Sequence, residues 1–199
     1  MTAPATDATL SVRAYPRAPA AVGAAAIAAL GCAALAARPA LVASARQPAR
    51  LLVVMFVALL ATALAVPLRS SVSAVRSARV FAVVIAIGVI GFASGRFLIG
   101  GDAPARLTSY ALAVNVLAAV AEEVWFRRLC YSLLEPAGTA FAIAGSSVLF
   151  AAVHVSMYGW SILPLDLAAG ALLGWQRAAT GSWHASALTH ALANVFVLL

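Results

Sequence analysis

The chain has no lysine. Its positive charge rests on 13 arginines alone, set against six acidic residues, and charged residues make up only 10% of the sequence. Hydrophobic residues make up 64%, whereas soluble domains run at roughly 45–50% apolar and about 25% charged. So little charge excludes an ordinary water-soluble core; the solvent for much of this chain is lipid. The net charge of +7 invites a nucleic-acid reading, but the arginines form no patch. They are scattered between apolar runs, as in the loops of membrane proteins. No nucleic-acid partner is expected. Cysteine is scarce too: Cys32 and Cys130 lie inside apolar runs without metal-ligand spacing and read as small buried thiols. There is no His-Glu-x-x-His and no Gly-x-Ser-x-Gly ("AGSSV" falls short), so the simplest zinc and serine signatures are missing. No internal repeat or low-complexity tail is visible.

What is present is a series of apolar runs. Residues 1–19 are polar and proline-containing, with Asp7, Arg13 and Arg17, and read as a disordered cytoplasmic tail. Candidate spans follow at 20–37, 51–68, 79–99, 107–134, 138–158, 161–178 and 183–199, each near the roughly 20 apolar residues needed to cross a bilayer. The expected fold is all-α: one polytopic transmembrane helical bundle of about seven spans. "RPALVASARQPAR" and "RSSVSAVRSAR" suit membrane-surface loops. An alternative for the first run is a cleavable leader, with Arg13 and Arg17 ahead of an alanine-rich stretch and "ALA" at 34–36. With the N-terminus inside, the inner segments collect Arg13, Arg17, Arg69, Arg76, Arg79, Arg128 and Arg177, against Arg38, Arg46, Arg50 and Arg106 outside. That bias favours a cytoplasmic N-terminus. "GFASG" (91–95) and "GALLG" (170–174) are small-xxx-small patterns that let helices approach closely in lipid.

One stretch concentrates the scarce charge. "AEEVWFRRLC" (121–130) holds Glu122, Glu123, Arg127 and Arg128 within a greasy span. Each charge at the bilayer centre costs about 2.5–3.5 kcal/mol on insertion scales, so the four face the bundle interior or water. Glu123 and Arg127 at i, i+4 share a helix face and can pair. Glu122 points about 100° away, with apolar Phe126 as its i+4 neighbour, and is left available as a proton acceptor. A structural salt bridge locking the bundle is the plainer reading of the stretch alone.

Two further features shift the balance towards chemistry. "FAAVH" (150–154) places His154 four residues after Phe150, and "HALAN" (190–194) places His190 and Asn194 at i, i+4. At about 1.5 Å per residue from one shared membrane face, Glu122 lies about 18 Å deep, His154 about 24 Å and His190 about 12 Å. All fall within about 6 Å of one level, so a single pocket is feasible.

Glu-Glu-x-x-x-Arg, then Phe-x-x-x-His, then His-x-x-x-Asn on successive spans resembles the CPBP family of intramembrane proteases, which takes in CAAX prenyl endopeptidases and bacterial bacteriocin-processing or self-immunity (Abi-like) proteins. The run "AAGALLGWQRAATGSWHASALTHALANV", with Gly174, Trp175 and Gly181, is similar to the family's last block. The resemblance covers 107–199 as a protease core and leaves 20–106 as variable N-terminal spans. It implies an endopeptidase in which Glu122 activates water, His154 faces it, and His190 and Asn194 stabilise the oxyanion or orient the water. Glu123, Arg127 and Phe150 would support them. The family is read both as glutamate-type and as metalloprotease; with no His-Glu-x-x-His present, a metal-free glutamate mechanism is expected, with zinc on Glu122, His154 and His190 as the alternative.

The expected partners are the bilayer and a peptide or membrane-associated protein, cut as a peptide precursor or at a C-terminal tail. The alanine- and arginine-rich, lysine-free composition points to a bacterial cytoplasmic membrane. Two other classes fit the same residues: a non-catalytic scaffold or bacteriocin-immunity protein of this fold, and a proton-coupled transporter. Asp166, after Pro164, reads as a helix-start or cavity residue, and His184 as a surface residue. Arg128 has no assigned role.

Overall fold

In lipid a backbone must satisfy its own hydrogen bonds, and alanine-, leucine- and valine-rich runs carry no polar side chains to compete, so each run closes into a helix. The computed structural model describes residues 18–68, 77–99 and 108–198. The polar tail up to residue 17, the stretch 69–76, and with them Arg13, Arg17, Arg69, Arg76 and Arg106, lie outside the described residues. The helices are α1 (Ala18–Ser44), α2 (Pro48–Ala65), α3 (Ala78–Ile99), α4 (Ser109–Glu123), α5 (Tyr131–Leu134), α6 (Thr139–Tyr158), α7 (Leu163–Thr180) and α8 (Trp183–Leu198). No strand occurs among the described residues.

α4 and α5 belong to one rod, so the described residues form seven rods in an all-α bundle, in line with the sequence. Five are long and apolar enough to cross a membrane: Ala20–Ser44, Pro48–Ala65, Ala78–Gly95, Ser109–Ala137 and Thr139–Tyr158. The remaining two, α7 and α8, have 18 and 16 residues and carry polar groups such as Asp166, Gln176, Thr189 and His190. Sequence punctuation sets several boundaries. Pro48 opens α2, where its missing N–H costs nothing. The Thr108 hydroxyl accepts from the Ala111 amide at 3.0 Å and caps α4. Gly181, at φ +70°, takes the left-handed turn that ends α7.

One boundary differs in a way that matters. The first run was expected to stop at residue 37, but α1 continues through Arg38 and Pro39 to Ser44. Pro39 has no N–H to give to the Leu35 carbonyl, yet the helix runs on. Arg38 is thereby a helix residue facing the bundle rather than a loop charge.

Polarity is arranged inside out. Glu122, Glu123, Arg127, Gln176, Thr189 and His190 are buried, while Val22, Leu30, Val54, Ile90 and Val148 are exposed. Such burial of charge beneath an apolar surface belongs to a lipid-facing bundle. α6 lies along α7, α4 along α8, α1 against α6, and α2 against α4. The GALLG contact is real: a Cβ on Gly170 would sit 2.9 Å from the Ser147 Cα, and one on Gly174 3.3 Å from Ile143 Cγ2. In GFASG only Gly91 is crowded, by Leu172 at 3.2 Å; Gly95 has nothing within 4 Å. Across the bundle, Gln176 Nε2 donates to the Val84 carbonyl at 2.8 Å and to Thr189 Oγ1 at 2.9 Å, tying α3, α7 and α8 together. Cys32 and Cys130 are free thiols.

Candidate active site

The fourth rod changes its winding at the charged stretch. α4 ends at Glu123, a π-helical segment runs from Val124 to Cys130, and α5 follows. The Tyr131 amide reaches back five residues to the Phe126 carbonyl. Such π insertions are frequent at functional sites. Here the wider turn begins directly after the two glutamates.

Glu123 and Arg127 form the innermost layer, both 0% exposed, with Arg127 Nε 3.3 Å from Glu123 Oε2. This is the pair that the i, i+4 spacing predicts. The Glu123 Oε1 atom lies 3.0 Å from His190 Nδ1, so one carboxylate serves both an arginine and a histidine. Arg127 Nη2 donates to the Gly170 carbonyl at 3.1 Å, and its guanidinium lies 4.7 Å from the Phe150 ring centroid and 5.8 Å from that of Phe126. Arg177 Nε donates to the Arg127 carbonyl at 3.3 Å while its guanidinium covers Tyr131 at 5.2 Å. A buried charge is tolerable only with this kind of pairing. The layer fixes α4, α7 and α8 around the glutamates.

Glu122 is not left unpaired, as helix geometry alone led us to expect. Arg38 Nη1 donates to Glu122 Oε1 at 3.2 Å, from α1, 84 residues earlier in the chain. The other carboxylate oxygen, Oε2, faces His154 Nε2 at 3.8 Å. His154 Nδ1 lies 2.8 Å from the Phe150 carbonyl, and a carbonyl only accepts, so Nδ1 is the protonated nitrogen and Nε2 of the neutral ring carries the lone pair. Asp166 Oδ2, in the first turn of α7, stands 3.9 Å from the same Nδ1. Asp166 Oδ2 is buried without a hydrogen-bond partner. Phe150 holds the ring from the side, its centroid 4.6 Å from that of His154 and 5.7 Å from that of His190.

A cavity of about 490 Å³ opens beside these groups. Glu122, His154, His190 and Asn194 all line it, from α4, α6 and α8. The common depth inferred from the sequence therefore matches one shared space. Glu123, Arg127 and Phe150 stand behind that wall. Asn194 Nδ2 donates to the Asn115 carbonyl at 3.2 Å, which places it against α4. Val42, Leu52, Phe56 and Val114 belong to the apolar part of the lining, with Pro39, Ala118 and Met157.

The sequence reading missed Arg38, Asn115 and Tyr158 as cavity residues. The available signal is an arginine at the end of an apolar run, a position that reads equally as a loop charge. Arg128 gains a place: it donates to the Ala63 carbonyl and, at 3.2 Å, to that of Val66, satisfying the carbonyl end of α2. With Arg38, Arg128 and Arg177 all held by protein, the inner set of loop arginines loses two members and the outer set one. His184 is exposed and bonded to Ser182 Oγ at 2.7 Å, as a surface residue. Among the described residues no group of three His, Cys, Asp or Glu side chains is placed to hold a metal ion.

Fold and site together define a polytopic helical membrane protein whose helices enclose a charge-compensated Glu–His–Asn cavity. Residues 104–196 match the family described as Type II CAAX prenyl endopeptidase Rce1-like. That match agrees with the CAAX-protease resemblance and, together with five helices long and apolar enough to cross a membrane, supports an integral membrane protein. All seven motif residues from Glu122 to Asn194 fall within the match; Arg38 lies outside it. No curated protein and no solved structure matches the chain.

Proposed function

We propose that the chain is an intramembrane endopeptidase in which Glu122 activates a water molecule. The observation that carries this reading is the 3.8 Å separation of Glu122 Oε2 and His154 Nε2 on the wall of the shared cavity. Two acceptors at that distance are too far apart to bond directly, and both can take a hydrogen from one bridging water. As the water oxygen attacks a peptide carbonyl carbon, Glu122 accepts a proton, and the same proton passes to the leaving nitrogen when the C–N bond breaks. His190 and Asn194 face the developing oxyanion, with His190 held by Glu123 and Asn194 by the Asn115 carbonyl. Glu123, Arg127 and Phe150 keep these groups in place. No step runs through a metal ion.

The substrate class is a peptide precursor or the C-terminal tail of a membrane-associated protein, in a bacterial cytoplasmic membrane with the N-terminus inside. The mostly apolar lining of the cavity supports a hydrophobic peptide segment. The test is peptidomics on membranes carrying either the wild type or Glu122→Gln. Peptides with new termini found only with the wild type support the reading. Identical peptide sets, with both proteins present in the membrane, overturn it and leave the scaffold and transporter readings.

A further inference from the structure

The chain's two thiols, Cys32 and Cys130, meet on the seam between α1 and the fourth rod. α1 packs against the π-helical segment and α5, and the two run antiparallel. Arg38 reaches Glu122 at one end of the seam. At the other end the Cys32 and Cys130 thiols lie within hydrogen-bonding reach of each other. The two contacts are about 9 Å apart along α1 and at most about 12 Å apart along the rod, so a single register satisfies both. Gly31 permits the close approach, since a Cβ there would collide with the Trp125 ring. Cys130 belongs to the buried core, and Cys32 packs against that core half-buried. Cys32 is therefore open to the bilayer and Cys130 is not. Neither thiol lines the cavity of Glu122 and His154. An accessible thiol backed by a second, resolving thiol is the arrangement that senses peroxides.

We propose that Cys32 and Cys130 form a reversible disulfide that latches α1 to the fourth rod, with a membrane-soluble organic hydroperoxide as the oxidant. The Cys32 sulfur attacks the terminal oxygen of the hydroperoxide. The O–O bond breaks, the alkoxide takes up the thiol proton and leaves as an alcohol, and Cys32 becomes a sulfenic acid. The Cys130 sulfur then attacks the Cys32 sulfur. The S–O bond breaks, and the hydroxyl leaves with the Cys130 proton as water. Two electrons pass from the two thiols to one hydroperoxide, and a dithiol reductant returns them. Arg38 rides on the same helix, so the latch also holds the partner of Glu122 in place. The site is independent of the endopeptidase reading.

The test uses the full chain in detergent, reduced with dithiothreitol, freed of reductant and exposed to cumene hydroperoxide. After denaturation in SDS, free thiols are counted by the gel shift of a maleimide–polyethylene glycol, and peptides are mapped by mass spectrometry. Wild type is expected to lose both thiols together and to yield the Cys32 and Cys130 peptides joined within one chain. Dithiothreitol restores both thiols. Cys130→Ser is expected to stop at the Cys32 sulfenic acid, which dimedone traps, and Cys32→Ser to keep Cys130 reduced. Joining residues 32 and 130 closes a long loop in the unfolded chain, so oxidised wild type is expected to unfold at a higher SDS mole fraction than the reduced form. That shift vanishes in either variant. If a serine variant does not fold, the wild-type results decide alone. Independent loss of the two thiols, chains joined to one another through Cys32, thiols that survive a hydroperoxide level sufficient to oxidise the denatured chain, or an unshifted SDS transition overturns the proposal. Because nothing is cleaved in this assay, its failure is distinct from a failure of the peptidomics.

Discussion

Arg127→Met probes the layer on which the cavity is built. Glu123 is 0% exposed and keeps His190 and Ser186, but no arginine, when the guanidinium is removed. Breaking a buried pair by deleting one partner costs about 3–5 kcal/mol, because the other charge stays buried. The lost hydrogen bond to the Gly170 carbonyl adds about 1 kcal/mol, and the lost stacking on Phe150 about 1–2 kcal/mol. Methionine fills most of the vacated space and returns part of this through apolar contact, so the expected net loss is about 3–5 kcal/mol. Adding Glu123→Gln removes the stranded charge, and the double variant is expected to recover about 2 kcal/mol or more of that loss. The assay is unfolding by SDS titration in mixed micelles, read as a double-mutant cycle. A single variant costing less than about 1 kcal/mol, or a double variant as unstable as Arg127→Met, refutes the claim that the pair is a mutually compensated buried charge.

Gly170→Val is expected to cost at least about 2 kcal/mol in the same titration, since its Cβ meets the Ser147 backbone at 2.9 Å. Gly95→Ala, with nothing within 4 Å, is expected to be neutral or to stabilise by up to about 1 kcal/mol. Gln176→Leu strips the Val84 carbonyl and the Thr189 hydroxyl of their shared donor, and a loss of about 1–3 kcal/mol is expected. Asp166→Asn removes the negative charge beside His154 Nδ1. It is expected to lower kcat by about tenfold with KM within about twofold, a smaller loss than the roughly 10²–10⁴-fold expected for a group transferring protons directly; an unchanged kcat contradicts a role for Asp166 in orienting the ring.

The motif-bearing helices were readable because the relevant relations are local. Glu123 and Arg127, Phe150 and His154, and His190 and Asn194 are each four residues apart, and helical spacing alone puts each pair on one face. The common depth of Glu122, His154 and His190 also followed from rise per residue, since α4, α6 and α8 meet one cavity. What spacing cannot give is contact between distant segments. Arg38 reaches Glu122 across 84 residues, and its helix had been ended seven residues too early, before Pro39, because charge and proline both read as loop. The π-helical segment was equally invisible: Val124–Cys130 is ordinary helix-forming sequence, and no residue spacing in it marks the wider turn. The apolar lining from α1 and α2 belongs to the region that no motif marked.

The central claim is that Glu122, rather than its neighbour Glu123, takes the proton from water. It is tested most directly by turnover of one membrane-derived substrate in proteoliposomes, comparing wild type with Glu122→Gln. Glu122→Gln keeps an acceptor for Arg38, so the protein is expected to remain folded while turnover falls by about 10²–10⁴-fold. Wild-type turnover by folded Glu122→Gln protein contradicts the account.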